Sequence, residues 1–320
     1  MKTVYLHIGY NKTGTTAIQK TFFKNVKFLE ENNLFYPLEC RGDRESPAHH
    51  SLAESLLFAC NKPLPTFVNT DIYAKYSTDH YWKLLHEELA KTKCTSIFIS
   101  SEAFSRFRQC ESQIRFIKEQ FDNYKVKILV YIREPTAYLE SAYNQAIKSG
   151  NEIHTIKKMI NQGWLTFDYF EEIEKWTNVF GVENIIVRIY DKLYFPNGVV
   201  ADVLEAIGFG NSTNFKNLPI ISQRRNKEDN PRLPNNMVEI KRIINILFRI
   251  LGKKSLKCDY RINNFLTRLA PFFKDKSLLS DDDKKFLYNH FYASNLKLGK
   301  KYLGGAYPFK TQNPHETRKI

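Results

Sequence analysis

The sequence lacks most of the marks of a secreted, zinc-binding or membrane-spanning chain. Its cysteines, Cys40, Cys60, Cys94, Cys110 and Cys258, are odd in number and form no C-x-x-C pair. That excludes a fully paired disulfide framework and the usual zinc-ligand spacing, so no metal site is expected. No stretch reaches the run of about 20 apolar residues that a membrane-spanning helix requires. The start runs directly into Thr3-Val4-Tyr5-Leu6-His7-Ile8-Gly9, without the charged, apolar and small-residue regions of an export signal. A reducing cytoplasm is the expected location. Internal repeats and low-complexity tracts are absent as well.

What is present is a soluble, basic α/β pattern. With 320 residues, 42% hydrophobic and 14% aromatic, the chain can bury a large core, and one domain with a helical annex is the default for this size. A formal charge of +14 and a pI near 9.4 point to an anionic partner: nucleic acid, a membrane surface, an anionic polymer or an anionic small molecule. Charge alone does not choose, because lysines are mostly exposed whatever the function.

Residues 4–8, 96–100, 126–132 and 184–189 have the β-branched, apolar character of buried parallel strands. Residues 34–36 make a shorter one. Helical spacing follows over 15–31, 51–60, 81–91, 135–148, 167–179 and 199–207. The alternation predicts a three-layer α/β/α fold with a mostly parallel central sheet. After about residue 211 the composition shifts. Residues 222–235 read as a loop and 236–251 and 281–298 as basic amphipathic helices. The expected division is a core over 1–210 and a basic helical C-terminal part over 211–320, packed on the same domain.

The most informative stretch is His7-Ile8-Gly9-Tyr10-Asn11-Lys12-Thr13-Gly14-Thr15-Thr16-Ala17-Ile18-Gln19: a strand, a donor-rich turn, then a helix. Backbone N–H groups at the helix start, the hydroxyls of Thr13, Thr15 and Thr16, and the Lys12 ammonium can converge there on a phosphate. A Walker A loop would place lysine directly after the second glycine. Here Gly14 is followed by Thr15, and the lysine stands at position 12. The stretch resembles the 5′-phosphosulfate loop of sulfotransferases that use 3′-phosphoadenosine 5′-phosphosulfate (PAPS), which commonly reads K-T-G-T-T. It looks most like the bacterial and glycan-modifying branch. That resemblance implies a P-loop-NTPase-like fold, PAPS as sulfuryl donor, and Lys12, Thr13, Gly14, Thr15 and Thr16 as its 5′-side ligands.

A second anion site is expected where Arg133 follows a strand and Ser141 lies two turns into the helix that Pro135 opens. The pair is similar to the family's 3′-phosphate motif, an arginine with a serine eight residues on. Tyr190, in Tyr190-Asp191, resembles a strand-ending pair near the donor. Arg225, in the basic loop 222–227, is placed by the same resemblance over the nucleotide.

Sulfuryl transfer proceeds through a loose in-line transition state, so the protein chiefly positions the reactants and stabilises the leaving group. Lys12 takes the leaving-group role. A base is needed for the acceptor, and Glu102 and His50 both follow segments expected at the carboxyl ends of strands. Glu102 leads, and no metal is required. The acceptor expected is a saccharide or polysaccharide, since sugars stack on aromatic faces and acidic ones seek Lys and Arg. Nucleic acid is not expected as a partner. Basic amphipathic helices suit peripheral contact with the inner face of a membrane. A P-loop nucleotide kinase or NTPase, and a basic nucleic-acid- or membrane-binding protein, are the competing readings.

Overall fold

The structure, a computed structural model, describes residues 1–41, 46–61, 71–107, 111–150, 152–164, 167–191, 197–210, 212, 214–220, 232–252, 259–274, 276–305 and 307–309. Among these the strands are β1 (Thr3–His7), β2 (Leu34–Phe35), β3 (Ser96–Ser100), β4 (Lys125–Ile132) and β5 (Ile185–Ile189). The longer helices are α1 (Thr15–Lys24), α2 (Val26–Glu31), α3 (His50–Ala59), α4 (Asp71–Lys75), α5 (Thr78–Lys91), α6 (Glu111–Gln120), α7 (Pro135–Lys148), α8 (Ile156–Met159), α9 (Tyr169–Phe180), α10 (Val199–Ala206), α11 (Asn235–Ile250), α12 (Asp259–Leu269) and α13 (Asp281–Tyr302).

The strands form one sheet in the order β2-β3-β1-β4-β5, and every pairing is parallel. The protein is therefore an α/β fold with a five-stranded, all-parallel sheet, as the strand–helix alternation predicts. β1 leads out toward β2 on one side, whereas β3 leads across β1 to β4 on the other. The carboxyl ends of β1 and β3 thus flank the point where the chain reverses direction across the sheet, where open α/β sheets bind ligands.

Ile18 and Phe22 of α1 join Phe98, Leu129, Tyr131, Val203 and Leu204 in one buried cluster on one face of the sheet. Val4, Leu6, Ile97, Ile99, Ile128 and Val130 are equally buried and, by the alternation of a strand, point to the opposite face. There α9 packs on β4 and β5. Both faces covered is what near-continuous apolar strands require. The Tyr131 hydroxyl donates to Asp202 of α10, and Arg188 of β5 pairs with the same carboxylate.

One expected element divides. Residues 15–31 form two helices because the Asn25 side chain donates to the Thr21 carbonyl at 2.7 Å, the acceptor a continuing helix would use. Others match closely: α7 begins at Pro135, and the Glu134 carboxylate accepts from the backbone N–H of Thr136 and Ala137 at 3.0 and 2.8 Å, an N-terminal cap.

By contacts the chain forms two compact units. One comprises Met1–Ile132, Tyr169–Ser222 and Gly299–Gly305 and holds the whole sheet. The other comprises Arg133–Asp168, Gln223–Leu298 and Ala306–Ile320 and, among its described residues, is helical. In it the Asn144 amide bonds both the carbonyl and the N–H of Leu233, at 2.6 and 3.2 Å.

Candidate functional site

The β1–α1 loop is wound by two left-handed residues, Lys12 at φ +68° and Gly14 at φ +81°. A side chain in that region costs about 1 kcal/mol or more, so lysine at position 12 is held against its own backbone preference. Gly14 is required for a second reason. A Cβ there would lie 2.7 Å from the Tyr190 ring and 3.1 Å from Val199. Gly14 precedes the first turn of α1, whose N–H groups receive no side-chain cap, leaving the positive end of the helix dipole open to an anion. Thr16 is exposed beside it and Thr15 buried. Thr13 departs from expectation: its buried hydroxyl donates to the Tyr10 carbonyl, so it closes the loop. Tyr190 follows β5, accepts no place on the surface beyond half exposure, and packs on the loop at Gly14.

The carboxyl end of β3 gathers both candidate bases. Ser101 caps the turn Glu102–Arg106 by accepting from the Ala103 N–H at 3.2 Å, and its hydroxyl also bonds His50 Nδ1 at 2.8 Å. Glu102, one residue on, accepts from Gln19 Nε2 of α1 at 2.9 Å. The same amide donates to Ser100 Oγ at 3.2 Å, and Ser100 Oγ bonds His7 Nδ1 at 2.8 Å. His7, Ser100, Gln19 and Glu102 thus form one chain of hydrogen bonds across the ends of β1 and β3, adjacent strands. Desolvation in full burial lowers His7 to about 4, partly offset by the Glu102 charge. Burial thus favours the neutral ring, and its Nε2 has no hydrogen-bond partner among the described residues. A Cβ at Gly9 would lie 2.7 Å from that nitrogen, so the loop crosses the ring only because position 9 is glycine.

His49, beside His50, is excluded as a base. Its Nδ1 accepts from the Ser100 N–H at 3.0 Å and its Nε2 faces the Pro37 carbonyl at 3.0 Å. Burial lowers it to about 3. The ring is a neutral strut between β3 and the segment after β2. His7, Gln19, Ser100 and Ser101 are site residues that the sequence pattern alone does not assign. His7 and Gln19 bracket the loop motif, but nothing in the sequence reveals that they meet through Ser100.

Arg133 directly follows Ile132, the last residue of β4, and is half-buried. Ser141 is buried on α7, two turns in. Both belong to the helical unit. Arg225 lies outside the described residues. Among the described residues no group of three or more metal-ligating side chains occurs, and no helix is long and apolar enough to cross a membrane.

No family model matches the chain. An uncharacterized protein of Archaeoglobus fulgidus is 33% identical over 216 residues, 65% of this chain and 54% of that protein, so the chain spans about half the length of the curated relative it matches. Two solved structures are similar. A sulfotransferase from Alicyclobacillus acidocaldarius is 14% identical with a TM-score of 0.44, over 80% of this chain and 98% of that one. The sulfotransferase domain of the Synechococcus PCC 7002 olefin synthase is 13% identical with a TM-score of 0.40, over 86% and 96%.

Proposed function

We propose that this protein is a sulfotransferase, moving a sulfuryl group from PAPS to a hydroxyl or amine of a saccharide or polysaccharide. The observation that carries the reading is the β1–α1 loop: a left-handed lysine before a left-handed glycine, opening an uncapped helix at the reversal point of the sheet. A triphosphate-binding loop would want its lysine one residue after Gly14, where Thr15 stands.

In this reading Lys12, Gly14, Thr15 and Thr16 bind the 5′-phosphosulfate, with Thr13 and Tyr190 shaping the loop. Arg133 and Ser141 bind the 3′-phosphate, and Arg225 covers the nucleotide. The acceptor oxygen attacks sulfur as the sulfur–oxygen bond to the 5′-phosphate breaks. Lys12 balances the charge that develops on the departing phosphate, and the acceptor proton passes to Glu102. Gln19 holds one carboxylate oxygen of Glu102, fixing its direction, while His50, oriented by Ser101, is the alternative base. Residues 1–210 supply the core that binds the donor, and 211–320 form the basic helical C-terminal part, which adds Arg225.

Calorimetry without magnesium tests this. The purified chain should bind 3′-phosphoadenosine 5′-phosphate at micromolar concentration, and Arg133→Ala and Lys12→Ala should weaken that binding. Folded protein that ignores this nucleotide but binds ATP with magnesium would replace the sulfotransferase reading with a nucleotide kinase.

A further inference from the structure

The outer sides of α11 and α12 carry apolar side chains that no contact among the described residues covers. On α11, Met237, Val238, Lys241 and Asn245 are buried, and the Asn245 amide donates to the Ile147 carbonyl of α7 at 2.7 Å. The opposite side presents Ile243, Leu247 and Ile250 at helical spacing, 52, 54 and 75% exposed. On α12 the buried side holds Asn263 and Leu266, and the Asn263 amide donates to the Lys148 carbonyl of α7 at 3.2 Å. Its opposite side reads Arg261, Phe265, Arg268 and, in the following turn, Phe272, alternately cationic and aromatic. Both helices rest on consecutive carbonyls at the same end of α7, and they pack on each other. Each exposed stripe lies opposite the side of its helix that meets α7.

We propose that this two-helix face docks on a bilayer containing anionic phospholipid. Arg249, Arg261, Arg268, Lys274 and Lys276 are exposed on or beside these two helices, whereas Lys241 is buried and Arg242 is paired with Glu239. Interleaved cationic and apolar side chains match the headgroup phosphates and the acyl boundary of an anionic membrane. Phe272 is 82% exposed, standing clear of its neighbours as insertion into a fluid phase requires. A nucleic acid would take the charge but has no use for the aliphatic stripe of α11. A second copy would bring two strongly cationic faces together, which like-charge repulsion opposes. The proposal goes beyond the sulfotransferase reading and stands without it.

Flotation of the full chain with vesicles tests it. The chain should float with vesicles of phosphatidylcholine mixed with phosphatidylglycerol and remain behind with phosphatidylcholine alone. Arg261→Ala with Arg268→Ala should lower partitioning roughly 30-fold, at about 1 kcal/mol for each basic residue. Leu247→Asp with Phe272→Asp should abolish it while leaving the circular-dichroism melt unchanged, because all four positions are exposed. Failure of folded wild-type chain to float, or variants that float as well as it does, overturns the proposal. So does a dimer in sedimentation that Leu247→Asp dissociates, since a second copy would then cover the face.

Discussion

His7 and His49 are fully buried and neutral, lowered by desolvation to about 4 and about 3. The unfolded chain protonates both near 6.5. Below that pH the unfolded state takes up protons that the native state refuses, so stability falls as pH falls. The loss begins near 6.5 and levels at about 4 for His7 and about 3 for His49, each adding up to about 1.4 kcal/mol per pH unit within its window. Urea midpoints across this range should fall accordingly, and His49→Gln should give a shallower slope although it weakens the protein at every pH. Catalysis separates the two candidate bases at the same scale. With Glu102 as base, Glu102→Gln should lower kcat by about 10²- to 10⁴-fold and leave nucleotide affinity unchanged by calorimetry, with His50→Asn the milder change. The opposite ranking would transfer the role to His50. Gln19→Leu leaves the carboxylate in place without its amide partner. Its kcat should fall between wild type and Glu102→Gln.

At the scale of elements, the β1–α1 loop makes opposed demands on position 12. Lys12→Gly relieves the left-handed backbone but adds chain entropy on unfolding, and the two effects are of similar size, about 1 kcal/mol. Stability should stay nearly constant while nucleotide affinity drops. Gly14→Ala should lower both, because the added Cβ meets the Tyr190 ring. Thermal melts read beside calorimetry distinguish the two outcomes. Strands were the most legible elements, since β-branched runs buried on both faces have few alternatives. Helix limits were legible where a cap was present, as at Glu134-Pro135. The break at Asn25 was not, because it depends on a side chain taking a carbonyl from the helix it belongs to. α12 is hard to read from sequence although Ile262, Phe265, Leu266 and Leu269 have helical spacing, because polar Asn263 and Asn264 interrupt the apolar run. In the site, the loop residues could be read as a contiguous motif. The link from His7 through Ser100 and Gln19 to Glu102 could not, since it joins positions up to 95 apart that only the sheet brings together.

For the whole molecule, the surplus of +14 acts at long range. Affinity for a nucleotide carrying two phosphate groups should fall severalfold as salt shortens the screening length from about 10 Å at 0.1 M to about 3 Å at 1 M, and a calorimetric salt series measures it. Composition marks part of the helical unit, through the basic stretch beyond residue 211, but gives no sign that Arg133–Asp168 belongs to it, because that segment is as apolar and as mixed in charge as the core. The strand order has a further effect, on how the chain is made. β1 is synthesised first and lies at the centre, between strands that begin at Ser96 and Lys125. At roughly 5 to 20 residues per second, the ribosome takes on the order of 6 to 25 s to supply both neighbours. Until β3 emerges Val4 and Leu6 have no strand to pair with, and until β4 emerges one edge of β1 stays open, so the nascent chain should be a client for chaperones that hold extended apolar segments.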